Sequence, residues 1–170
     1  MIIRLSQKLC TKIKAGKLKE MPLDENPYAD WSANLFVVGR TQYIILSNTA
    51  SLYSCVMYGK EITNDSRFIQ RALDSIREFM EADGHTTIYQ KHIAPSTGTV
   101  SFSKSLNRRV IGSMNELVMA ASYKLRVDES GPHDLGFYLN EGLLSAIANE
   151  GRNYGRPEDA FKQLASGKVK

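Results

Sequence analysis

The chain is poor in cysteine, histidine and tryptophan: two, three and one among 170 residues. Cys10 and Cys55 form no CxxC pair and supply no zinc set. Each lies among apolar residues at helical spacing and reads as a buried thiol; a disulfide between them would be unusual in a reducing cytosol. His85, His92 and His133 lack the spacing of metal ligands, and His85, after a helix-ending Gly84, is expected on the surface. No apolar run approaches the ~20 residues of a membrane span. The opening MIIRLSQKLCTK carries charge where a signal peptide needs its apolar stretch, which predicts a cytoplasmic protein. GxSxG, P-loop, GxGxxG and HExxH motifs are all missing, and no metal or cofactor is expected. The chain also has no internal repeat and no low-complexity tract.

What is present is ordinary globular composition, 42% hydrophobic and 24% charged, long enough for one buried core. A single domain is expected over residues 1–165, with 166–170 as a frayed tail. The net charge of +4 is unevenly spread. Residues 1–20 carry Arg4, Lys8, Lys12, Lys14, Lys17 and Lys19 against Glu20 alone. Residues 101–126 carry Lys104, Arg108, Arg109, Lys124 and Arg126 against Glu116. If the two segments meet, they make one positive face that attracts nucleic acid or another polyanion. The plainer alternative is solubilising surface charge.

Patterning predicts an α+β fold, a small, mostly antiparallel sheet covered by amphipathic helices. Ile2, Ile3 and Leu5 suggest a strand, after which Ser6 caps a helix through about Lys14. Residues 31–47 read as two strands around Gly39-Arg40-Thr41. Asn48 or Thr49 is expected to cap a further helix carrying Leu52, Val56 and Met57 and closed by Gly59. The clearest helix is 65–83, whose outer face, with Arg67, Arg71, Asp74 and Arg77, reads as solvated scaffold. A half-exposed strand at 99–103 precedes a long helix over 107–125. Residues 135–147 suggest a short helix or strand, and Arg156-Pro157-Glu158 opens a last helix.

The stretch SLNRRVIGSMNEL, residues 105–117, breaks two local rules. Gly112 in mid-helix costs roughly 1 kcal/mol relative to alanine. Arg108 and Arg109 put two cations at a helix N-terminus, unfavourable by ~0.3–1 kcal/mol each. A bound anion would resolve the second conflict, because backbone N–H groups, the helix dipole and two guanidinium forks would converge on it. Arg108, Arg109, Asn107 and Asn115 are therefore the candidate anion ligands, with Lys8 and Lys12 extending the face. Arg108, Gly112, Asn115, Met119 and Ser122 also form one row at helical spacing, so a neighbouring element is expected to pack closely on Gly112. The alternative is structural: Arg109 solvated, Arg108 paired with a carboxylate of the acidic loop 20–30, and Gly112 a packing residue.

Other candidates carry less. Asn48, Thr49 and Ser51 follow a buried strand, a place that holds ligands in some folds and ordinary caps in most. Glu116 and Glu141 would serve as acid and base only if they met in space.

The stretches LSQKLCTKIK, LDENPYADWSANLF, RTQYIILSNTASLYSCVMYG, APSTGTVSFSKSLNRRVIGSMNELV and LNEGLLSAI span most of residues 5–147. Together they are similar to a family of small bacterial proteins known only as a domain of unknown function. The resemblance implies a bacterial source and one compact domain, and brings no activity or catalytic residue. The expectation is a non-enzymatic binding module for a polyanion or nucleic acid. The alternatives are an enzyme on a phosphorylated or nucleotide substrate, and a protein-interaction partner of toxin–antitoxin type or a homo-oligomer.

Overall fold

The computed structural model describes residues 1–148 and 153–166; of the expected tail, 167–170 lie outside the described residues. Strand β1 (Ile2–Leu5) leads into helix α1 (Gln7–Ile13). The Ser6 side chain accepts from the Leu9 N–H and so satisfies a free donor of the first turn. The chain returns through a short turn at Pro27–Ala29 to β2 (Asp30–Val38), which runs parallel to β1. β3 (Thr41–Asn48) and β4 (Ser54–Tyr58) follow as an antiparallel meander.

Helix α2 (Asp65–Ala82), capped by Asn64, crosses back over the sheet. The short α3 (Thr86–Ile88) and the turns after it carry the chain to β5 (Ser101–Lys104), parallel to β1 on its far side. Three helices complete the fold: α4 (Arg108–Val127), α5 (Pro132–Glu141) and α6 (Pro157–Gln163).

The sheet order is β4-β3-β2-β1-β5, and β3 alone opposes the other four. The sheet is thus mixed, which corrects the antiparallel expectation. The reason lies in the connections: parallel neighbours need a long crossover, usually helical, and β1 is joined to β2 through α1.

The helix expected after Asn48 is also absent. Residues 48–52 make a tight turn, with the Asn48 Oδ1 accepting from the Ser51 N–H at 3.0 Å and Leu52 left-handed at φ 61°. β4 then pairs along β3, and Val56 and Met57 point to opposite faces. Leu52, Val56 and Met57 fit a helical stripe equally well; the turn chemistry decided between the two.

Two apolar clusters sandwich the sheet. On one face Ile3, Leu5, Trp31, Ala33, Ile44 and Met57 pack against α1 and α2. On the other, Phe36, Ile45 and Val56 meet Val110, Met114 and Leu117 of α4 and Leu135 and Leu139 of α5. α5 also closes the sheet edge. The Asn140 side chain accepts from the Ser54 N–H (2.7 Å) and donates to the Ser54 carbonyl (2.9 Å), standing in for a further strand on β4.

Candidate functional site

The loop before α4 meets the acidic loop over a buried ion pair. Arg4 and Asp30 are 1% and 0% exposed, so their charges are withdrawn from water and must be satisfied by the protein. The Arg4 Nε and Nη2 donate to the two Asp30 carboxylate oxygens at 2.8 Å each. The remaining guanidinium N–H groups reach the Met21 and Pro22 carbonyls at 2.9 and 2.8 Å, with longer bonds to the Ser103 Oγ and the Lys104 carbonyl. Asp30 also accepts from the Asp24 N–H at 3.1 Å. This fork ties residues 21–24 to β1, β2 and β5.

Above it lies a cleft of about 240 Å³ lined by Arg4, Glu20, Lys104, Ser105 and Leu106 among others. It stops at the entry to α4. Asn107 caps that helix, its side-chain oxygen accepting from the Val110 N–H at 3.0 Å. Arg108 and Arg109 occupy the first turn as expected. Arg108 is exposed and has no hydrogen-bond or ion-pair partner among the described residues. Arg109 donates through Nη2 to the Ala146 carbonyl, so one of its N–H groups is already used. Asn115 is exposed two turns further along.

The loop 20–30 does hold a carboxylate for an arginine. The arginine is Arg4, not Arg108.

The lysines do not join this site. α1 buries Leu9 and Ile13 against the Trp31 and Ala33 face, whereas α4 packs on the Phe36 face. Alternate residues of a strand point to opposite sides, so Lys8 and Lys12 ride on one side of the sheet and Arg108 and Arg109 on the other. Lys12 instead donates to the Gln42 Oε1 at 2.7 Å. The two basic segments do meet, at the β1–β5 pairing and at Lys19 beside Ser103, but Lys8 and Lys12 do not extend a face shared with Arg108 and Arg109. Lys104 remains at the cleft, 3.6 Å from Glu20 in an exposed pair of little energetic weight.

Gly112 is exposed, and a Cβ placed there meets nothing within 4 Å. The close approach expected at Gly112 is absent. Glu116 and Glu141 are both exposed, and neither lines the cleft. The Arg4 donors at this cleft are used within the protein and Lys104 sits beside Glu20, which leaves Arg108 as the exposed cation without a partner among the described residues.

His85 departs most from expectation, being 6% exposed. α2 ends in a paired cap: the His85 N–H reaches the Met80 carbonyl and the Gly84 N–H the Glu81 carbonyl, with Gly84 at φ 78°. That turn folds the imidazole inward against Tyr53 and Phe161, at ring distances of 5.5 and 6.0 Å. The Tyr53 hydroxyl donates to the Asp83 Oδ2 at 2.6 Å, and burial and that carboxylate push its ionisation up. The His85 Nε2 lies 3.5 Å from the same Oδ2 and has no hydrogen-bond partner. Burial lowers the imidazole's basicity against the opposing pull of Asp83.

Cys10 and Cys55 are free and buried, and burial holds the Cys55 thiol near about 12. Among the described residues no helix is long and apolar enough to cross a membrane.

Fold and site together define an α+β domain with a mixed five-stranded sheet and a small cleft beside one helix start. The family described as a domain of unknown function, DUF6933, matches residues 2–160, and the chain belongs to it. No curated protein matches the chain.

Proposed function

We propose that the protein is a non-enzymatic bacterial cytoplasmic module that binds a polyanion, nucleic acid first among them, at the start of α4. One observation carries this reading. The cleft beside Arg4, Lys104 and Ser105 runs up to a helix end whose exposed Arg108 is unpaired within the described chain. Backbone N–H groups of a first turn and a guanidinium favour the same ligand, a phosphate oxygen. The test is fluorescence anisotropy with a short labelled oligonucleotide at rising salt. Binding at low salt that weakens steeply with salt, and weakens further in Arg108→Ala with Arg109→Ala, is the expected result. Absence of binding at low salt, or indifference to those substitutions, defeats the reading.

A second reading has its own support. Met119, Tyr123 and Val127 on the outer side of α4 are 72%, 64% and 61% exposed, a density of open apolar groups that suits a protein partner. Light scattering tests the self-associating form: a concentration-dependent dimer that Met119→Glu dissolves supports it, and a monomer at every concentration removes it. The enzyme alternative has no comparable support, since Glu116 and Glu141 both lie outside the cleft lining.

A further inference from the structure

Helix α6 has seven residues, too few to persist as a helix on its own, so it exists where it docks. It lies outside the sheet, and the stretch before it joins the body through the Leu144–Gly155 bridge. Its anchor is Phe161, a fully buried ring with Ala160 and Leu164 buried beside it. The ring stacks on Tyr53 at 4.2 Å and meets Tyr28 and Trp31 edge-on at 5.1 and 6.4 Å. Tyr28 also grips the backbone. Its hydroxyl donates to the Phe161 carbonyl and accepts from the Ala165 N–H, each at 3.1 Å. An aromatic box around the starts of β2 and β4 therefore holds α6 in place.

The same box contains an imidazole whose bonding is incomplete. The His85 Nε2 is buried without a hydrogen-bond partner. The Asp83 Oδ2, 3.5 Å away, already accepts from the Tyr53 hydroxyl. A neutral imidazole can leave that nitrogen as a bare acceptor. A protonated one would turn it into a charged donor withdrawn from water. The groups facing the ring are Asp83 at the end of α2, Tyr53 before β4, and Glu158 and Lys162 on α6. Tyr53 stays uncharged, since burial raises its ionisation, and Glu158 is spent on an ion pair with Lys162. Asp83 is thus the one anion on hand, and it is shared.

We propose that α6 is an acid-released latch: protonation of His85 undocks Phe161 and opens the box of Tyr28, Trp31 and Tyr53 to solvent. Undocking lets water reach the charged ring while the sheet keeps its pairing. The sign follows from linkage. Burial holds the docked imidazole below the free value of about 6.5, so the open form binds the proton more tightly. Above about 6.5 the ring is neutral in both forms and the latch is shut. Below it the open fraction rises as pH falls, by about tenfold per pH unit at most for one proton, until the docked ring titrates too. The device stands apart from the α4 cleft and does not rest on the anion-binding reading.

The test is amide hydrogen exchange of the full chain at pH 7.5 and 5.5, corrected for the intrinsic rates. The Ala165 N–H, whose acceptor sits on another element, reports docking, and the paired N–H groups of β3 report the whole fold. Ala165 is expected to be far less protected than β3 at both pH values and to lose protection severalfold at pH 5.5. Trp31, the single tryptophan and fully buried, should become more open to acrylamide quenching over the same interval. His85→Phe is expected to abolish the pH effect at both probes. His85→Gln, polar but unable to titrate in this range, should do the same and covers the case in which the phenyl ring fails to pack. Asp83→Asn removes the attracting carboxylate, so the rise in opening should move to lower pH. Equal protection at Ala165 and β3 overturns the proposal, because release is then unfolding of the whole domain. A pH effect that survives in both His85 variants overturns it too.

Discussion

Two glycines in helix interiors behave oppositely. Gly112 of α4 faces open space, so the backbone entropy it costs has no packing benefit within the chain. Gly112→Ala should stabilise the protein by about 0.5–1 kcal/mol, read as a higher denaturation midpoint at unchanged slope. Gly136 of α5 sits against Phe79, where an added Cβ would come within 2.3 Å of the Cε2. Gly136→Ala should therefore cost about 1–3 kcal/mol by overpacking. The close neighbour expected at Gly112 is missing, and one is present at Gly136, which the pattern did not single out. Spacing shows that a glycine is helical; which helix face meets another element is a tertiary fact.

His85 gives a residue-scale prediction of pH dependence. Its folded ionisation lies below the free value of about 6.5, because burial outweighs the attraction of Asp83 and Glu158, with Lys162 adding to the depression. The unfolded chain then binds more protons at His85 than the folded one. Its contribution is fully present above about 6.5 and is lost as pH falls from there through the lower folded value. Thermal melting should decline across that interval more steeply in the parent than in His85→Phe. Equal slopes would show that the imidazole is as well solvated as a surface histidine.

At the scale of elements, the protein relies on side chains that imitate or tie backbone. Asn140 blocks the β4 edge, and Asn140→Ala would leave the buried Ser54 N–H and carbonyl without their partners. A loss of about 2–4 kcal/mol is expected, together with a greater tendency to aggregate through the opened edge. Arg4 ties three strands to the loop at 21–24. Arg4→Met strands the Asp30 carboxylate in the interior and should cost about 3–5 kcal/mol in chemical denaturation. Adding Asp30→Leu should recover part of that loss, since the two charges act as one unit.

The elements were legible where periodicity was long or caps were strong. α2 and α4 follow their hydrophobic stripes, and Ser6, Asn64 and Asn107 cap as their positions suggest. β4 was not legible, because a short apolar run of alternating small and large residues satisfies both periods. With Tyr58 placed on a helix, the ring row it makes with Tyr43 and Phe36 across three strands could not be seen. The Arg108 and Arg109 positions were legible, while their separation from Lys8 and Lys12 depended on the parallel crossover that puts α1 on the other face.

For the whole molecule, that separation decides what kind of electrostatics governs binding. If only net charge mattered, the position of a cation on this small domain would be immaterial. Lys8→Glu with Lys12→Glu, and Lys104→Glu with Arg108→Glu, both take the formal charge from +4 to zero, because each reversal removes two units. The first pair changes the α1 face and the second changes the cleft. Beyond a Debye length of about 10 Å at 0.1 M salt, exposed charges on one face are largely screened from a ligand on the other. A polyanion seated at the start of α4 should therefore keep nearly all its affinity in the first variant and lose most of it in the second. The salt dependence should shrink only in the second, as fewer phosphate contacts are made. Equal losses in the two variants would mean diffuse attraction by the whole surface, with the cleft and the unpaired Arg108 playing no special part.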